Sequence, residues 1–111
     1  MKNILSLKNS REFSRVYRKK CSFANKLLVM YVCPNEKESV RLGISVSKKV
    51  GNSVVRHRTV RLIRESFRLN KDKLKDGYDI VVVARPFAKD RSFGEIESAF
   101  LHLIGLHGID K

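Results

Sequence analysis

Tryptophan is absent, and cysteine and proline number two each. Cys21 and Cys33 make neither a disulfide framework nor a metal-ligand spacing, so both are read as reduced thiols of a cytoplasmic protein. Long apolar runs are missing too. The longest, Leu27 to Cys33, is strand-length and far too short to span a bilayer. No secretory signal opens the chain, because Leu5 and Leu7 are split by a polar residue and followed by Lys8.

Acidic residues are scarce, and that scarcity bounds the chemistry. The 11 Asp and Glu form no recognisable metal motif and are read mostly as loop or helix-surface residues. His57 lies among arginines, which disfavour its charged form, and His102 and His107 are five apart, an awkward spacing for a shared metal. No phosphate loop, nucleophile elbow or zinc motif appears. The residues point to no catalytic group and no metal site of the chain's own, so the chain by itself reads as a binding module.

What is abundant is positive charge. Lys and Arg number 24 against those 11 acids, a formal net charge of +13 and a pI near 10.2. Such an excess repels itself in a compact state and is normally neutralised by a polyanion. Nucleic acid is the first candidate and an anionic membrane the second. At 111 residues and 42% hydrophobic content, the whole chain, 1–111, reads as one domain with a modest core.

The charge concentrates on one helix. Projected at ~100° per residue, Val54 to Asn70 places Val55, Thr59, Leu62, Ile63, Ser66, Phe67 and Leu69 on one half of the wheel. Arg56, His57, Arg58, Arg61, Arg64 and Arg68 fall on the other half. Asn52 or Ser53 supplies the N-cap, and Gly51 lets the backbone turn before it. A merely solvated face mixes signs. Here Glu65 is the one acid among the arginines, whose forked donors suit phosphate oxygens.

The remaining elements follow from periodicity. Asn9 or Ser10 caps a first helix reaching about Lys19, with Phe13, Val16 and Tyr17 as a stripe among Arg11, Arg15, Arg18, Lys19 and Lys20. On spacing alone, Phe13 and Tyr17 read as packing. A short strand is possible around Ser22 to Asn25. Leu27 to Cys33 is a strand, and the polar turn from Pro34 to Ser39 leads to an expected hairpin with the next. That next strand alternates Val40, Leu42, Ile44 and Val46 toward a core with Arg41, Gly43, Ser45 and Ser47 on a small polar face. Such a face suits the floor of a ligand site or an ordinary solvated surface equally. Asp79 to Ala84 is a strand apolar on both sides, so strand, helix and strand imply a crossover in one sheet. Ser92 and Glu95 form a capping-box pattern before a last helix, with Ile96, Phe100, Leu103 and Ile104 on one face and Gly105 and Gly108 expected to fray its end. The class is α+β, in the order α-β-β-α-β-α.

The segment SKKVGNSVVRHRTVRLIRESF resembles the signature of the bacterial ribonuclease P protein family, roughly S-K-K-x-G-x-A-V-x-R-N-R-x-K-R-x-x-R-E. Lys48, Lys49, Gly51, Val54, Arg56, Arg58, Arg61, Arg64 and Glu65 fit it. Further matching motifs run from Glu12 to Tyr17, Ser22 to Asn25, Arg41 to Ser47 and Asp79 to Pro86. His57 stands in place of Asn, Ser53 in place of Ala, and Thr59-Val60 in place of a hydrophobic-Lys pair.

The resemblance implies a protein subunit of an endoribonuclease whose active site is in its RNA. The catalytic RNA subunit would hydrolyse one phosphodiester of precursor tRNA, with Mg²⁺ bound mainly by that RNA, to release the 5′ leader. It implies RNA-subunit contacts at Lys49, Arg56, His57, Arg58, Arg61 and Arg64, and leader contacts at Phe13, Tyr17, Tyr31, Ser47, Lys48 and Arg85. Phe13 and Tyr17 would then be partly exposed and stack on bases, and the sheet would be mixed with a left-handed crossover. Neither membrane nor DNA is expected as a partner. A non-catalytic ribosomal or RNA-chaperone protein is the alternative. A DNA-binding regulator would need a dimer surface that is not identifiable.

Overall fold

The structure, a computed structural model, describes Leu7, residues 9–19 and residues 21–111. Leu5, Lys8 and Lys20 lie outside the described residues. The elements run α1 (Ser10–Arg18), β1 (Ser22–Ala24), β2 (Leu28–Pro34), β3 (Val40–Ser45), α2 (Ser53–Asn70), β4 (Tyr78–Ala84) and α3 (Phe93–His107). The short strand after α1 is therefore present. The class is α+β, one domain with a four-stranded mixed sheet of order β1-β2-β4-β3.

The expected hairpin between the second and third strands does not form. β4 lies between them, antiparallel to β2 and parallel to β3. The polar 35–39 connection steps over the start of β4 instead. Asn35 N–H donates to Gly77 O and Gly77 N–H to Ser39 O, both at 2.9 Å, with Gly77 at φ 94°. Only a glycine adopts that backbone readily.

Two layers cover the sheet. On one face α2 and α3 enclose the main core, where Phe67, Phe100, Ile63, Ile80 and Met30 are completely buried. Truncating either phenylalanine to alanine would cost about 3–5 kcal/mol. On the other face α1 lies over a smaller cluster of Leu7, Val16, Cys33 and Val81, flanked by Phe13, Tyr17, Tyr31 and Val83. β2 and β4 are thus apolar on both sides because both sides are covered.

The helix ends are specified locally. Asn9 Oδ1 accepts from Glu12 N–H and Asn52 Oδ1 from Val55 N–H, each at 3.0 Å. Ser92 and Glu95 complete the capping box. The expected fraying of the last helix is not seen: it runs through Gly105, and Gly108 closes it in the left-handed region at φ 68°. Gly51 also works differently from expectation. It is not among the positive-φ residues, but a β-carbon there would come within 2.8 Å of Val55, so it permits close approach rather than an unusual turn.

Candidate RNA interface

α2 presents its basic half to solvent. Arg58, Arg61, Arg64, Arg68 and His57 are exposed and Arg56 is half-exposed. Of these, Arg68 pairs with Glu65 one turn earlier. Among the described residues, no ion pair engages Arg56, Arg58, Arg61 or Arg64. Lys48 and Lys49 extend the same charge from the exposed turn before the helix, where Lys49 N–H donates to Ser47 Oγ at 3.3 Å. A shallow depression lined by Ser53, Val54, His57, Arg58 and Arg61 follows the first turns of α2.

The opposite half is buried or half-buried, with one exception to expectation. Thr59, Ile63, Ser66 and Phe67 are buried, but Leu69 is 52% exposed. Leu69 lies about 120° around the wheel from Ile63, too far to reach the core. Asn70 is buried instead, with Nδ2 donating to Ser66 O at 2.8 Å and to Glu97 Oε2 at 2.9 Å. Thr59, which departs from the hydrophobic residue of the signature, fits the core because its hydroxyl donates to Val55 O at 2.9 Å.

The second surface lies between α1 and the sheet. Strand register places Cys33, Asp79 and Arg41 in one row on this face, then Tyr31, Val81 and Gly43, then Val29, Val83 and Ser45. α1 covers the first two rows and leaves the third half-exposed. Phe13, Tyr17 and Tyr31 form the wall beside that third row. Tyr17 stacks edge-on against Tyr31, with ring centroids 4.8 Å apart, and lies 6.4 Å from Phe13. All three rings are half-buried, so they pack on one side and offer an edge or face on the other. Burial and the neighbouring Tyr31 push the Tyr17 phenol above its usual value despite its hydrogen bond with Ser45, so it stays protonated. Ser47 and Lys48 follow β3, and Arg85 follows β4, at the open end of the groove. The small polar face of β3 is therefore neither a bare floor nor a plain solvated surface: its first half is roofed by α1.

Sequence reasoning missed what holds α1 in place. Asp79 is completely buried. Arg41 grips it with Nε at 2.8 Å and Nη2 at 2.7 Å, Asn35 Nδ2 donates at 2.8 Å, and Arg15 of α1 pairs with it. Arg41 also reaches Glu12 of α1 at 2.9 Å. Burial alone would raise the Asp79 pKa, but the bonds from Arg41 and Asn35 and the nearby guanidiniums outweigh it and hold the carboxyl below its ordinary value. The available signal was an aspartate opening an otherwise apolar strand, D-I-V-V-V-A. Asn25, within the Ser22 to Asn25 motif, has a structural part. Its Oδ1 accepts from Leu27 and Leu28 N–H, at 3.2 and 2.9 Å, and closes the turn between β1 and β2.

The histidines divide as packing and surface groups. His107 is half-buried, edge-on to Phe23 at 4.9 Å, with Nε2 2.9 Å from Met30 O. Burial lowers its pKa against the opposing pull of that carbonyl, so it is neutral near pH 7. His102 and His57 are exposed. Among the described residues no three His, Cys, Asp or Glu side chains converge on a metal-sized position. Asp79, the buried carboxylate among the described residues, is taken by two guanidiniums. No helix among the described residues is long and apolar enough to cross a membrane.

Known proteins share this sequence pattern and fold. The sequence pattern of the family described as Ribonuclease P matches residues 1–106. The ribonuclease P protein component of Lachnoclostridium phytofermentans is 62% identical over 104 residues, 94% of this chain and 90% of that protein. That of Alkaliphilus metalliredigens is 55% identical over 98 residues, 88% of each. The solved RNase P protein of Staphylococcus aureus superposes with a TM-score of 0.89 at 38% identity, covering 98% of this chain and all of that one. The Thermotoga maritima RNase P protein gives 0.82 at 30% identity, covering 89% and 94%. These matches supersede the ribosomal or RNA-chaperone alternative, and the chain belongs to the bacterial ribonuclease P protein family.

Proposed function

We propose that this protein holds two RNAs at once: α2 grips the catalytic RNA of ribonuclease P, and the groove beside α1 takes the single-stranded 5′ leader of precursor tRNA. As a ribonuclease P protein component, the chain is a subunit of an RNA-catalysed endoribonuclease that matures the tRNA 5′ end. Its residues bind and orient; they do not cut. Within the cytoplasmic ribonucleoprotein, Mg²⁺ is held mainly by the RNA, and no step runs through a metal on this chain.

The observation that carries the leader assignment is the aromatic wall of Phe13, Tyr17 and Tyr31 beside a half-exposed strip of sheet that ends in Ser47, Lys48 and Arg85. Aromatic faces stack on any base, and a basic track follows any backbone, so together they suit single strands of varied sequence. The arginines of α2 suit a folded RNA, because forked donors fix phosphate oxygens in two directions at once. Lys49, Arg56, His57, Arg58, Arg61 and Arg64 make that contact. His57 donates or stacks where the family's asparagine offers a paired donor and acceptor.

The test uses the enzyme reconstituted with its cognate RNA. Phe13→Ala should weaken binding of precursor tRNA and leave binding of mature tRNA unchanged. Equal loss for both substrates would assign Phe13 to packing and end the leader reading.

A further inference from the structure

Beyond the end of the groove, Phe87 stands on a ledge. β4 ends at Ala84, and residues Pro86–Ala88 make one 3-10 turn. Ala88 is buried in the core at 1% exposure, which anchors the turn and leaves its neighbour Phe87 57% exposed. The backbone beneath the ring is fixed on both sides. Ala88 N–H donates to Arg85 O at 2.8 Å, and Arg91 Nε donates to Phe87 O at 2.9 Å. Lys26, in the turn between β1 and β2, lies over the ring with Nζ 5.0 Å from its centroid. A cation thus lies over one face of a ring whose residue is more than half exposed.

We propose that Phe87 is a further base-stacking residue of the leader path, with Lys26 and Arg85 as its backbone contacts. This rests on the leader reading of the groove and extends it by one position. Continuity comes from Arg85. It follows Val83 and Val81 on the groove face by strand alternation, and its Nη1 donates to Asn25 O at 2.8 Å, within the turn that carries Lys26. Arg85 thus bridges the groove face of β4 and the turn that holds Lys26 over the Phe87 ring. The surroundings favour RNA over a protein partner. The ring sits among the cations Lys26, Arg85, Lys89 and Arg91 rather than in an apolar patch, and of the nearby acids Asp90 and Glu95 the second is paired with Arg91. A cation over one face and a base on the other is a stable arrangement for an aromatic ring.

The experiment measures affinity of the reconstituted enzyme for precursor tRNAs whose leaders are shortened one nucleotide at a time. Phe87→Ala should weaken long-leader precursors on the order of tenfold and leave mature tRNA unchanged. Phe87→Trp should retain wild-type affinity. The Phe87→Ala and Phe13→Ala losses should vanish at different leader lengths, because the two rings serve different nucleotides. If Phe13→Ala shows its loss but Phe87→Ala does not, or loses mature tRNA equally, or the two losses vanish at the same length, Phe87 is not a separate leader contact. If Phe13→Ala shows no leader-dependent loss either, the groove reading itself has failed.

Discussion

Gly43 lies directly beneath the Phe13 ring, so close that a methyl group at residue 43 would come within 2.7 Å of Phe13 Cζ. A small residue in the sheet thus sets the height of an aromatic residue on the helix above. Phe13 touches it with its far end, so the ring, rather than the backbone, would give way. Gly43→Ala should therefore shift the Phe13 ring out of the groove wall. We expect a loss in precursor affinity of up to one stacked base, about 1–3 kcal/mol, with mature tRNA unaffected. The overpacking itself should cost roughly 1–3 kcal/mol of stability, checked by denaturant titration. Unchanged precursor binding would mean that the ring's position over Gly43 does not matter to the leader.

Asp79 provides the second prediction. Its carboxyl is held below its ordinary pKa by the folded structure, so it contributes stability above the unfolded-state value near ~3.9, and this contribution is lost as pH falls through the lower folded value. Asp79→Asn removes the charge and leaves Arg15 and Arg41 facing an uncharged group, which should cost about 3–5 kcal/mol at neutral pH. The variant should also show a flatter fall in stability below pH ~4 than wild type. Urea midpoints measured across that range would settle the matter. Parallel curves for the two proteins would show that Asp79 is not the linked group.

The basic face of α2 makes a different prediction, because Arg58 and Arg61 are exposed and no ion pair among the described residues engages them. Arg58→Ala and Arg61→Ala should each leave stability within about 0.5 kcal/mol of wild type. Each should weaken assembly with the catalytic RNA and lower the salt dependence of that assembly by about one phosphate contact. Affinities measured over a series of salt concentrations read this directly. A weakened complex with an unchanged salt slope would point to a role other than phosphate binding.

How much of this was legible in the sequence depends on how local each signal is. The basic helix, its Asn52 cap, the Ser92–Glu95 capping box and the buried stripe of the last helix are read within a few turns, and the structure has them all. Strand order was not legible. The polar residues 35–39 look the same whether they close a hairpin or bridge over a strand that begins only at Tyr78. Gly77 and β4, which decide between the two, lie far along the chain. The pairing of Arg15 and Arg41 with Asp79 is not legible for the same reason: 64 residues separate the partners of one pair and 38 those of the other. The part played by Gly51 was also hidden, since φ and close approach leave the same residue in the sequence. The site residues follow from the family resemblance and not from periodicity. The structure groups Phe13, Tyr17 and Tyr31 as one wall and Arg58, Arg61 and Arg64 on one exposed helix face.

The claim beneath all of this is that the protein presents RNA to RNA and does no cutting itself. The most direct measurement is cleavage of leader-bearing precursor tRNA at limiting Mg²⁺ by the cognate catalytic RNA alone, by the protein alone and by the two together. The account predicts slow cleavage by the RNA, none by the protein, and a marked acceleration when both are present. Site-specific cleavage by the protein free of RNA, or no acceleration on mixing, would contradict it.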